Sequence, residues 1–183
     1  LDRFARYDAS MGVTMKVTVT WNAHEASDSL ASPMSFIAAT GSGHLVAMDG
    51  APAGADDPLG GRNLAPRPME MVLAGTGGCT AYDVVLILKR GRNDIRHCEV
   101  RLEAERAPED PKIFTKIHFH FVVAGHRLRR EVVQRAIALS HDKYCSASVM
   151  LGKSATLSYD FEIVETGPSK PQPETTASMP STS

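Results

Sequence analysis

The segment Met15-Lys-Val-Thr-Val-Thr-Trp21 alternates strictly between apolar and polar residues. Met15, Val17, Val19 and Trp21 share one face, and Lys16, Thr18 and Thr20 the other. A period of two predicts a half-buried strand. Weaker strand patterns follow at 35–40 and 44–48, with Gly41-Ser-Gly43 between them as a tight turn, so an N-terminal meander is expected. Residues 50–66 pass through Gly, Pro, Ala and Asp without periodicity and read as a surface loop.

From 69 to 88 the chain is almost wholly apolar or small, and the first charges after Asp83 are Lys89 and Arg90, just before Gly91. Basic residues followed by Gly mark a helix end. The cations complement the last free carbonyls, and Gly accepts a left-handed cap. Pro66 and Pro68 stand where a helix can start. Such a helix is expected to be central and buried nearly all round. Gly75, Gly77 and Gly78 lie inside it, each costing about 1 kcal/mol relative to Ala, and mark where it would bend or restart.

Two further alternating segments follow. Cys98, Val100, Leu102 and Ala104 oppose His97, Glu99, Arg101, Glu103 and Glu105; after the turn-forming Ala107-Pro-Glu-Asp-Pro111, Ile113, Thr115, Ile117, Phe119, Phe121 and Val123 share a face. These strands are expected to pair as a hairpin. Leu128, Val132, Val133, Ala136, Ile137 and Tyr144 then recur at helical spacing, predicting an amphipathic helix that ends near Cys145. A turn at 146–151 leads to a last strand, in which Ala155, Leu157, Tyr159, Phe161 and Ile163 alternate with polar residues. The order strands, helix, strands, helix, strand argues for an α+β fold rather than a doubly wound parallel sheet. The expected organisation is an N-terminal extension over 1–14, one domain over 15–165, and a disordered Pro/Ser/Thr-rich tail over 166–183.

Charge narrows the range of partners. Lys and Arg number 20 against 21 Asp and Glu in 183 residues, so no field of one sign is available to hold a nucleic-acid backbone or an acidic membrane. No uninterrupted apolar stretch approaches the roughly 20 residues of a membrane helix, and residues 1–10 carry charges where a signal peptide would be apolar. A cytoplasmic protein is expected. Cys79, Cys98 and Cys145 are an odd, widely spaced set, unlike a secreted disulfide framework. Without a close Cys-x-x-Cys or His-x-x-His pair, no metal is expected, and no cofactor is implied.

The cysteines carry the candidate chemistry. Cys79 follows two glycines, an arrangement that lets backbone approach closely and would leave free N–H groups beside the sulfur, favouring a thiolate. The plain alternative is a small apolar core residue. Cys145, in Asp142-Lys-Tyr-Cys-Ser146, would resolve a sulfenic acid on Cys79 if the fold brought the two together. Cys98 shares an apolar face with Val100 and Leu102 and reads as inert packing. His118 and His120 point the same way beside Lys116, whose charge opposes a cation, so they read as solvated or helix-facing. His141 reads as a partner of helix-terminal carbonyls rather than a catalytic group. The basic cluster Arg127, Arg129 and Arg130 reads as a wet helix face.

Pro68-Met-Glu-Met-Val-Leu-Ala-Gly-Thr-Gly-Gly-Cys-Thr80 resembles the central-helix motif of the OsmC/Ohr superfamily, and Leu139-Ser-His-Asp-Lys-Tyr-Cys-Ser146 resembles its second cysteine segment. With Met48-Asp-Gly50, Gly91-Arg-Asn-Asp94 and Phe114-Thr115, the likeness is greatest to the YhfA-like branch and runs from 15 to 164. The resemblance implies an intertwined homodimer, in which antiparallel sheets wrap long central helices and active sites lie at the interface. It also implies reduction of organic or other hydroperoxides in oxidative-stress defence. Cys79 would be the peroxidatic thiol, Cys145 the resolving thiol, and an external dithiol the reductant.

The chain departs from the peroxidase pattern in two places. The family Glu directly follows the helix-start Pro; here Met69 stands there, and Glu70 comes one residue later, turned by about 100°. No Arg occurs between Met11 and Gly61, where the family's Arg should lie, so Arg62 and Arg67 are the nearest substitutes. Loss of a positive partner raises the expected thiolate pKa. The competing readings are therefore a non-enzymatic dimer that binds a small hydrophobic ligand or senses redox state, and a scaffold with inert thiols.

Overall fold

The computed structural model describes residues 14–21, 32–52, 54 and 60–167. The expected N-terminal extension, residue 14 apart, and the expected tail, residues 166 and 167 apart, lie outside them. The chain divides into two compact units, Leu1–Val72 and Leu73–Ser183.

In the first unit, β1 (Val17–Trp21), β2 (Ser35–Thr40) and β3 (Leu45–Asp49) form an antiparallel meander in that order. All five residues of β1 are exposed, so the half-buried strand expected from its alternation is not found. The turn between β2 and β3 is closed by Gly43 N–H donating to Thr40 O at 2.9 Å, with Gly43 at φ +85°. Asp49 organises the loop that follows. Its side chain, in a residue only 1% exposed, accepts from Ser32 Oγ at 2.5 Å and from the N–H groups of Gly50, Leu64 and Arg62 at 2.7, 2.8 and 3.2 Å. Burial pushes this carboxyl up, but the four donors outweigh it and hold the pKa below the ordinary carboxylate value.

Helix α1 (Pro68–Arg90) runs unbroken through Gly75, Gly77 and Gly78, so the restart expected there does not occur. Pro68 is its first residue, and Glu70 reaches back to accept the Arg67 N–H at 2.9 Å, half of a capping box. At the far end Arg92, not Gly91, takes the left-handed conformation, at φ +56°. Asn93 closes that end through its N–H and Nδ2, both 3.0 Å from Leu88 O. Only Thr76, Gly77, Thr80, Val84 and Leu88 are buried, a single stripe rather than the all-round burial expected. By length and composition alone α1 is long and apolar enough to cross a membrane. The apolar run is not uninterrupted, since Gly75, Thr76, Gly77, Gly78, Thr80 and Asp83 break it. The core helix of a water-soluble domain passes the same test.

In the second unit, β4 (Asp94–Arg106), β5 (Phe114–His126) and β6 (Thr156–Glu165) form a sheet with β5 in the centre. β4 and β5 are the expected antiparallel hairpin, with a register shift between Ile95 and His97. β6 runs parallel to β5, because α2 (Arg130–Leu139), the π-helical turn Ser140–Tyr144 and α3 (Ser146–Leu151) carry the chain back across the sheet. Residues 146–151 are thus a helix and not the simple turn expected. Ile117, Phe119, Phe121 and Val123 of β5, Val84 and Leu88 of α1, and Val133, Ala136 and Ile137 of α2 are all fully buried. Each large apolar side chain so removed from water contributes about 1.5–3 kcal/mol. At Gly77 the helix comes close enough to β4 that a Cβ would lie 2.7 Å from Leu102 Cδ1. The whole is a mixed α+β arrangement of two sheets and helices.

Candidate active site

Cys79 and Asp83 are four residues apart on α1, a spacing that places both on one face of a helix. Cys145 follows the π-helical turn and caps α3, its Sγ accepting the Ser148 N–H at 3.4 Å. Its own N–H donates to Ser140 O at 2.8 Å, which anchors the backbone. The sulfur atoms of Cys79 and Cys145 and a carboxylate oxygen of Asp83 all lie within 4.8 Å of one another. Two thiols separated by 65 intervening residues are therefore neighbours. Of the residues expected to carry chemistry, these are the two the fold brings together. Cys145 is fully buried, whereas Cys79 keeps partial exposure. Among the described residues, Cys79, Asp83 and Cys145 are the group that could hold a metal ion.

A hydroxyl pair fixes the carboxylate. Ser140 Oγ donates to Asp83 Oδ2 at 3.1 Å and lies 2.9 Å from Thr80 Oγ1, and both Ser140 and Thr80 are fully buried. These contacts tie α1 to the π-helical turn, a local widening of the helix that often occurs at functional sites. Sequence reasoning passed over Asp83, Thr80 and Ser140. The available signal was a lone carboxylate one helical turn beyond a cysteine, in an otherwise uncharged run.

Burial raises the Cys79 thiol above its ordinary pKa, and the hydrogen bond with Cys145 acts in the same direction; the Ala147 N–H opposes them, while the charge of Asp83 adds to the rise. The expectation that glycine-exposed amides would favour the thiolate is not met, because α1 is continuous and keeps those amides in its own ladder. The N–H facing the sulfur belongs to α3 instead. Cys98 is pushed up to about 11 by burial on β4, in keeping with its reading as packing.

Arg67 and Glu70 are engaged at the start of α1. Glu70 accepts the Arg67 N–H, and the Arg67 guanidinium is 3.4 Å from Asn63 Oδ1. His141 does not pair with carbonyls: its ring stacks on Tyr159 at 5.0 Å and meets Phe119 edge-on at 4.6 Å, and burial lowers its pKa. His118 and His120 lie on the wet face of β5, 2.9 Å from Ser158 Oγ and 2.5 Å from Asp160 Oδ1. Arg130 lies over the Phe161 ring at 4.4 Å. A cleft of about 310 Å³ that shares Asp83 with the site is lined by Asp83, Leu86, Ile87, Arg90, Leu139 and Tyr144.

The family model described as OsmC-like protein matches residues 60–160, more than half of the chain. Protein YhfA of Escherichia coli K12 is 44% identical over 131 residues, covering 72% of this chain and 91% of its own. The crystal structure of a hypothetical protein from Aquifex aeolicus VF5 superposes with a TM-score of 0.67 at 25% identity, covering 86% of this chain and all of that one. The organic hydroperoxide resistance protein OhrB of Bacillus subtilis shares the fold at a TM-score of 0.51 and 19% identity, over 82% of this chain and 98% of its own. With its paired cysteine segments and this match, the chain belongs to the OsmC-like family, close to YhfA.

Proposed function

We propose that the protein reduces organic or other hydroperoxides through Cys79 and Cys145, as part of oxidative-stress defence in the cytoplasm. The single observation that carries this reading is the approach of the two sulfurs to within 4.8 Å. The Cys79 thiolate attacks the terminal peroxide oxygen, the O–O bond breaks, and the alkoxide leaves as alcohol after taking a proton. Cys79 is left as sulfenic acid. The Cys145 thiol then attacks that sulfur, a disulfide forms, and the sulfenic oxygen departs as water. An external dithiol returns both cysteines to thiols through exchange and is itself oxidised to a disulfide.

The active form on this reading is a homodimer around α1, with residues 15–165 as its domain and no membrane or nucleic-acid partner. The support is unpartnered apolar surface in each unit. Val17, Val19 and Trp21 of β1 are 55–56% exposed, and Tyr82 of α1 is 67% exposed. A Cβ added at Gly75 or Gly78 would meet nothing beyond its own helix within 4 Å. Glu70 and Arg67 have a supporting role in this proposal, holding the start of the helix that carries Cys79.

Hydroperoxide consumption with dithiothreitol as reductant tests the activity: wild-type protein is expected to turn over, and Cys79→Ser to lose at least about a hundredfold, since the nucleophile is gone. Unchanged consumption by Cys79→Ser would remove the peroxidatic role. The raised Cys79 pKa favours one second reading, a slow redox sensor or small-ligand binder in place of a fast enzyme.

A further inference from the structure

We infer that Cys79, Asp83 and Cys145 form a binding site for a borderline-soft divalent cation of the zinc class, loaded while both thiols are reduced and emptied when they pair. Their donor atoms already lie within 4.8 Å of one another. In a tetrahedral zinc centre, bond lengths of about 2.0–2.3 Å put neighbouring donors roughly 3.5–3.8 Å apart. Closing on an ion therefore asks for movements of about 1 Å or less per side chain.

The frame suits a metal. Cys79 and Asp83 are held one turn apart on a 23-residue helix, and Cys145 is held by backbone bonds from its N–H to Ser140 O and from the Val149 N–H to its own O, at 2.8 and 3.0 Å. Ser140 Oγ donates to Asp83 Oδ2, which orients the carboxylate as outer-shell partners do for metal ligands. A dication bound there would hold both sulfurs as thiolates, releasing two protons on binding. Two sulfurs with one carboxylate select zinc over magnesium or calcium, and three protein ligands leave a fourth position open. The sequence expectation of no metal rested on the lack of a short-spaced Cys or His pair. The short-spaced pair here is Cys79 with Asp83, and the third ligand comes from the cap of α3.

The site shares its thiols with the peroxidatic reading and rests on that reading for its emptying step. There the zinc bis-thiolate, one hydroperoxide and two protons yield Zn²⁺, the Cys79–Cys145 disulfide, one alcohol and one water. The sulfurs lose two electrons and the peroxide gains them.

Reduced, metal-free, full-length protein is titrated anaerobically with Co²⁺, then with Zn²⁺. One equivalent per chain is expected, with a near-ultraviolet sulfur-to-cobalt band that zinc abolishes. Asp83→Asn, which preserves size and both thiols, is expected to bind at least about tenfold more weakly. Cys145→Ser, with its fold checked by circular dichroism, is expected to lose most of the band. No thiolate–cobalt band in wild-type protein with titratable thiols overturns the site, and unchanged affinity in Asp83→Asn overturns Asp83 as a ligand. Hydroperoxide added to the zinc form is expected to free one metal ion per two thiols lost; thiol loss with the metal retained overturns the coupling. Cation binding is read without peroxide and disulfide formation on metal-free protein, so failure of one is distinguishable from failure of the other.

Discussion

The Ser140 hydroxyl donates to Asp83 Oδ2 at 3.1 Å, joining the π-helical turn before Cys145 to the helix face that carries Cys79. Ser140 is fully buried and also lies 2.9 Å from Thr80 Oγ1. Its removal leaves a buried hydroxyl and a partly buried carboxylate short of a partner. Ser140→Ala is expected to lower stability by about 1–3 kcal/mol in denaturant unfolding. Ser140→Thr, which keeps the hydroxyl, should recover part of that loss; equal losses in both variants would mean that volume and not hydrogen bonding matters here.

The closeness of α1 to β4 depends on Gly77. A methyl group there would lie 2.7 Å from Leu102 Cδ1, well inside contact distance. Gly77→Ala is expected to destabilise by about 1–3 kcal/mol despite the better helix propensity of Ala. Combining it with Leu102→Ala removes the clash, so the double variant should be more stable than the sum of the two single losses. Simple additivity, measured by thermal or urea unfolding, would show that the two residues do not meet.

Asp49 makes stability pH-dependent. Its folded pKa is depressed below the ordinary carboxylate value, because four donors outweigh the cost of burial. The unfolded chain, with a carboxyl pKa of about 3.9, therefore binds the proton more tightly. The contribution is fully present above the unfolded pKa and is lost as pH falls through the folded one. Asp49→Asn is expected to cost about 2 kcal/mol at neutral pH and to flatten the acid limb of a stability–pH curve. An acid limb identical to that of the wild type would exclude Asp49 as its source.

Local elements were largely legible in the sequence because their cues are local. The strict alternation of 97–105 and 113–123 yields the β4–β5 hairpin, and the proline and the basic pair bracket α1 within a residue or two. The neighbouring glycines misled in two ways. They look like a break, yet Gly77 serves a close approach to Leu102, and the left-handed residue after the helix is Arg92. Within one chain α1 buries only a stripe, and apolar composition does not say which side meets the chain's own sheet. Cys98 was readable as packing from its apolar strand face, whereas the site around Cys79 was only half readable. The two cysteines stand in recognisable segments, but Asp83, Thr80 and Ser140 acquire meaning only once α1 and the π-helical turn are brought together. No periodicity carries that tertiary contact, and none announces that β6 lies parallel to β5.

The central claim is that Cys79 and Cys145 act as a pair, and the most direct test is mass spectrometry of reduced protein after a short stoichiometric pulse of cumene hydroperoxide. The expected result is a Cys79–Cys145 disulfide formed within the pulse, Cys98 still a free thiol, and a trappable sulfenic acid on Cys79 in Cys145→Ser. All three thiols intact after the pulse, or a disulfide that includes Cys98, would contradict the account.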